Sequence, residues 1–165
     1  MRNLSEAAEL RETPVIGAYI IWHFVKAYCD TCHNVPSIVL VFVAIGILTN
    51  VQLARHVGKQ KNLSCFRRDL VKNKESDCFA GITRVIKEKF SYTTAALDIA
   101  VAANLITMNT EEATVTALPS ASNIDERSIL TKDVLQIGTK AEQLGKLFAK
   151  WGDGQSVLVE LEVKL

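Results

Sequence analysis

Two almost wholly apolar stretches dominate the chain between Pro14 and Asn50, PVIGAYIIWHFVKAYCDTC and VPSIVLVFVAIGIL. Thr13 followed by Pro14 reads as a helix start: a side-chain N-cap, then a ring that fixes φ where no N–H bond is lost. Polar side chains then recur at Tyr19, His23, Lys26 and Asp30, a narrow stripe at helical spacing, while Ile16, Ile20, Ile21, Trp22, Phe24 and Val25 fill the rest of the circumference. This predicts a helix covered on most sides. The second stretch, Ile38 to Leu48, has no polar stripe at all. As a helix it reaches about 16 Å, against a hydrocarbon thickness of about 30 Å, so it predicts a core helix and no membrane span. Arg11, Glu12 and the acidic stretch Ser5 to Glu9 before the apolar run argue against a signal peptide, and the expected location is cytoplasmic.

From Leu63 the pattern changes. Leu63 to Lys72 reads as a short helix. Ser76 caps a second, in which Phe79, Ile82, Val85, Ile86 and Phe90 recur at helical spacing. Ser91 caps a third, Tyr92 to Asn104, with Ala96, Leu97, Ala100 and Val101 as its apolar face. Leu105 to Asn109 and Ala113 to Leu118 then predict two short strands around Thr110-Glu111-Glu112. Three helices followed by a hairpin is the outline of a winged helix. Reading base edges, however, needs Arg, Lys, Asn or Gln on the third helix, and its body has none; its one charge, Asp98, repels phosphate. That surface is better suited to packing on protein.

After a polar linker, Pro119 to Arg127, apolar residues fall at Leu130, Val134, Ile137, Ala141, Leu144, Phe148 and Trp151, the seam of one long helix. Gly138 and Gly145 beside that seam predict close packing inside the chain in preference to a coiled coil with another. Gly152-Asp153-Gly154 marks a turn. From Ser156 to Lys164, Val157, Val159, Leu161 and Val163 alternate with Glu160, Glu162 and Lys164, which predicts a terminal strand able to join the hairpin or a partner's sheet. The expected fold class is therefore α+β, mostly α. A helical N-terminal part (1–62), a winged-helix-like centre with a β-hairpin wing (63–118), and a linker, long helix and terminal strand (119–165) form a single domain over 1–165.

Composition alters this picture little: 165 residues suit one domain, and the net charge of +1 points to no nucleic acid globally. Locally it does more. Between Val51 and Lys74 seven basic residues face the single acid Asp69. Within this segment Arg55, Lys59, Lys61, Arg67 and Arg68 are the candidates for nonspecific contact with a phosphate backbone.

Candidate chemistry is thin. Cys29-Asp30-Thr31-Cys32-His33 has the spacing of covalent haem attachment. Such haem matures outside the cytoplasm, and only Met1 and Met108 could serve as a methionine axial ligand. Zinc would need Cys65 and Cys78 as its second half-site, and their spacing is wrong for a compact knuckle. Reduced, partly buried thiols are expected, with no metal and no cofactor. Gly58-Lys59-Gln60 lacks the upstream glycine and following hydroxyl of a phosphate loop. His23, His33 and His56 are scattered and read as structural. No nucleophile–base pair and no paired carboxylates stand at useful spacing, so the chain is not expected to be an enzyme.

Taken together, several segments resemble one family. Leu4 to Leu10 with the helix ending Trp22-His-Phe-Val-Lys-Ala-Tyr28 is similar to the opening of the middle component of bacterial three-component ABC systems. Val41-Phe-Val-Ala-Ile-Gly-Ile-Leu48 and Val57-Gly58-Lys59 resemble its apolar run and the turn after it. Ala141-Glu-Gln-Leu-Gly-Lys-Leu-Phe-Ala-Lys-Trp-Gly152 resembles its closing signature. Gly46 and Gly58 stand where that family commonly has proline. The resemblance implies a non-enzymatic adaptor that bridges an SMC-like ABC ATPase to an effector, often a nuclease, in defence systems that include the Lamassu type acting against phage and plasmids. The alternative is a free-standing winged-helix transcription regulator.

Overall fold

Helix α1 (Pro14–Cys32) makes the most extensive packing contacts of any element in the fold. The computed structural model describes residues 12–58, 61–72, 76–119 and 130–163, with side chains for all of these except residue 70 and residues 76–80. After α1 come α2 (Ile38–Thr49), α3 (Val51–His56), α4 (Leu63–Lys72), α5 (Ser76–Glu88), α6 (Phe90–Ala102), β1 (Ile106–Asn109), β2 (Thr114–Ala117), α7 (Lys132–Trp151) and α8 (Gly154–Glu160). The predicted class, α+β and mostly α, is the observed one. Among the described residues no helix is long and apolar enough to cross a membrane.

Pro14 does open α1, but Thr13 acts through its backbone: the carbonyl accepts from the amides of Ile16 and Gly17 and from the Tyr92 hydroxyl, and the side chain makes no cap. The Cys29-to-His33 string is simply the end of this helix. His33 turns left-handed at φ 54°, and its amide closes on the Cys29 carbonyl at 2.9 Å. α1 packs along α7 on one side and α6 on another, with α2 and β2 completing its cover. The first half of the polar stripe faces α7: His23 Nδ1 lies 2.9 Å from a Glu142 carboxylate oxygen, and Tyr19 lies against Gly138, while Asp30 is exposed.

The long-helix expectation holds, and so does its internal seam. Val134, Ile137, Ala141, Leu144 and Phe148 of α7 are buried, and the Phe148 ring meets Phe24 edge-on with centroids 5.6 Å apart. Glycine permits the approach. A Cβ on Gly145 would lie 2.4 Å from the Phe24 carbonyl oxygen, and one on Gly138 would lie 2.6 Å from the Tyr19 hydroxyl. The seam is thus consumed within the chain. α2, whose side chains from Val43 to Leu48 are all buried, forms the second central layer between α1, α5 and α7.

The hairpin is present in the predicted place, pairing Ile106 with Ala117 through to Asn109 with Thr114. Asn109 Oδ1 accepts from the amides of Glu111 and Glu112, and Ala113 takes φ 50° to close the four-residue connection. The hairpin is tied to the α1–α2 loop: the Ile38 amide donates to the Ala113 carbonyl at 2.8 Å, which satisfies a free donor at the start of α2, and the Val115 amide donates to Pro36 at 3.1 Å.

Four expectations need correcting. Ser156 to Val163, the described part of the strand expected over Ser156 to Lys164, is not a strand: residues up to Glu160 belong to α8, because Asp153 accepts from the Ser156 amide at 2.8 Å and nucleates a helix that buries Val157, with Leu161 buried one turn later. Ser91 does not cap α6, which begins at Phe90 after the single connecting residue Lys89. Phe90 is consequently lost from the apolar face of α5, and its ring, 58 % exposed, stacks on Phe42 of α2. The Ser76 cap lies outside the described side chains. The order of a winged helix is there (α4, α5, α6, β1, β2); α6 buries Thr93, Ala96, Leu97 and Ala100 chiefly along α1, and Val101, expected on that apolar face, points to solvent instead. A Cβ on Gly17 of α1 would lie 2.7 Å from that of Ala96.

Candidate interaction surface

The basic segment folds into two short helices, each started by an asparagine. Asn50 Oδ1 accepts from the amides of Gln52 and Leu53 at the head of α3, and Asn62 Oδ1 accepts from the Cys65 amide at the head of α4. Their apolar faces, Leu53 and Ala54 on α3, Leu63 and Phe66 on α4, are buried, which turns the basic side chains outward. Arg55, Lys61, Arg68 and Lys72 are exposed, and because α3 touches α4 they lie on neighbouring elements. Lys59 lies outside the described residues.

Arg67 differs from its neighbours. Its guanidinium pairs with the carboxylate of Glu162, and Ser64 one turn earlier donates to Glu160 at 3.2 Å. The acids that follow Val157 therefore reach back onto α4. At this level of exposure the ion pair contributes only about 0–1 kcal/mol, but it diverts one of the five proposed phosphate contacts. Arg68 lies near the Cys65 sulfur at 3.6 Å and otherwise projects to solvent. On the opposite side, Lys140 of α7 donates to the Ala54 carbonyl in α3, and Gln143 crowds Gly58, which turns at φ 99°.

Cys29 sits at the end of α1, half-buried. Burial pushes the Cys29 thiol above its ordinary value, so it holds its proton more tightly than a metal ligand or nucleophile would. The Cys32 sulfur donates to the Tyr28 carbonyl at 3.3 Å, and burial raises the Tyr28 hydroxyl as well. Among the described residues no three His, Cys, Asp or Glu side chains converge as a metal site; the Cys78 side chain lies outside them. His23 is buried between the rings of Tyr19 and Trp22 and bonded to Glu142; His33 ends α1; His56 ends α3.

Sequence reasoning missed two features. Glu142 as the partner of His23 is 119 positions away, and nothing in a heptad seam marks it. Glu160 and Glu162 as counter-charges to the basic segment were visible as acids on an alternating stretch, but a strand placed them elsewhere. The same refolding exposes a surface beside α8: an open depression of about 480 Å³ lined by Trp151, Asp153, Gln155, Ser156, Val159 and Glu160.

Comparison with known proteins supplies one match. A family model described as ABC-three component (ABC-3C) system Middle Component 3 matches residues 1–165. No curated protein and no solved structure matches the chain.

Proposed function

We propose that this chain, which belongs to the Middle Component 3 family of ABC-three component systems, is a non-enzymatic adaptor that bridges an SMC-like ABC ATPase to an effector, a nuclease, in a cytoplasmic anti-phage and anti-plasmid defence complex of the Lamassu type. Its partners are the other subunits of such a system. The single observation that carries the reading is the match of the family model over residues 1–165.

The arrangement of the chain supports it. The long α7 seam is buried against α1, so docking falls to outward faces, of which the basic α3–α4 face is one. Nonspecific DNA contact is assigned to Arg55, Lys59, Lys61 and Arg68, with Arg67 held in reserve by Glu162. The rival reading, a winged-helix regulator, draws on the order of α4, α5, α6 and the hairpin. It is disfavoured because the exposed face of α6 offers Ser91, Thr94, Asp98 and Val101, none of which forks onto a base edge.

The test is co-expression of the full chain with its two neighbouring subunits. Co-purification of all three in fixed proportion is expected. A chain that elutes alone, or that footprints a defined site in its own promoter, would refute the adaptor reading.

A further inference from the structure

Val159 is the most exposed large hydrophobic side chain among the described residues, 69 % accessible. The reason is geometric. Val157 of α8 and Leu161 at its C-terminal cap, four residues apart and joined by the bond from the Leu161 amide to the Val157 carbonyl, are both fully covered, so the residue midway between them must point the other way. A β-branched side chain facing water is a poor choice for a short helix on local grounds.

What surrounds Val159 gives it a purpose. It forms one wall of the depression beside α8; Trp151, half-buried at the end of α7, forms another, and Asp153 and Glu160 supply carboxylates. No lysine or arginine is among the lining residues. The Asp153 carboxyl is held below its ordinary range by its bonds to Ser156, so it is charged at neutral pH. An indole face beside two carboxylates attracts a cation, and an exposed valine beside them attracts an aliphatic side chain. The same negative charge repels nucleic acid, which sets this groove apart from the basic face of α3 and α4.

We infer that the Trp151–Val159 groove docks a segment of a partner subunit that presents an aliphatic side chain next to a lysine or arginine. The aliphatic group covers Val159, and the cation lies over Trp151 within reach of Glu160 and Asp153. This rests on the reading of the chain as a component that holds other subunits. With a basic face for phosphate and an acidic-apolar groove for protein, the two attachments need not compete.

The experiment is a titration of the isotope-labelled full chain with acetyl-Leu-Arg-Leu-Arg-amide, followed by NMR, with acetyl-Leu-Glu-Leu-Glu-amide as control. Expected are saturable shifts of the Trp151 indole and of the Gln155, Ser156 and Val159 amides with the basic peptide alone. Val159→Ser or Glu160→Gln should weaken binding by at least about threefold. The inference is overturned if the shifts are absent, if they scatter over other faces, if the acidic peptide moves the same signals, or if dilution of the chain alone moves them, which would make a second copy the occupant. The wild-type titration decides by itself should a variant fail to fold. It uses the chain alone: co-purification without peptide shifts removes only the groove, and peptide shifts without co-purification remove only the adaptor.

Discussion

The Tyr92 ring lies against Gly17, with its hydroxyl 3.1 Å from the Thr13 carbonyl, and burial pushes the phenol up to about 12. Folded, the group keeps its proton where the unfolded chain has lost it. Its stabilising contribution is therefore complete below the ordinary value of 10.0 and is lost as pH rises through about 12. Urea denaturation between pH 9 and 12, values set about the ordinary tyrosine range, should show wild type losing stability over this window and Tyr92→Phe losing less. Equal slopes would contradict the assignment. Gly145 is a second residue where little freedom exists. Its missing side chain makes room for the Phe24 carbonyl, and the added methyl in Gly145→Ala would approach to 2.4 Å, with backbone as the obstacle. A loss of about 2–3 kcal/mol is expected, seen as a drop in Tm of about 5–10 °C; an unchanged Tm would mean that α1 and α7 separate without cost.

At the scale of elements, α8 depends on one cap. Asp153 has its carboxyl lowered first by the side-chain bond to Ser156 and then by the backbone bond to the same residue. A lowered carboxyl stabilises above its unfolded value of about 3.9 and loses that contribution as pH falls through the folded value. Asp153→Asn should accordingly flatten the acid side of the stability profile followed by circular dichroism, and a profile identical to wild type would deny the cap its role. This helix also marks where the sequence stopped being legible. α1, α7 and the hairpin could be read because each carries one uninterrupted period, 3.6 or 2, and α2 because an apolar run of its length has only a core to occupy. Val157 to Val163 carries period 2 for a different reason: Val157 and Leu161 fit either period, and only Asp153, a local capping signal outweighed by the alternation, tips the choice. Phe90 misled for a similar reason, since its spacing continues the α5 face but the single residue Lys89 rotates it onto Phe42. The basic residues of the candidate surface were readable one by one; the pairing of Arg67 with Glu162 was not, because sequence order says nothing of what folds back.

Across the whole molecule, charge is divided between faces. If Arg55, Lys61 and Arg68 meet a phosphate backbone, reversing all three to glutamate should abolish DNA binding measured by anisotropy at low salt. The charge-neutral triple alanine variant should flatten the log–log salt dependence by about 3. Arg67→Ala should change it least, because that side chain is already engaged; an equal or larger effect would mean that Glu162 lets go. The hydrogen bonds that α4 donates to α8 and its following turn bridge 95 and 96 positions of sequence, and Val157 and Leu161 anchor that segment in the core. A protease cut in the Gly152–Gly154 turn would thus be felt in the middle of the chain, slackening the grip on α4 while leaving α1 and α7 clasped. The tail works as a tether for a region it never neighbours in synthesis.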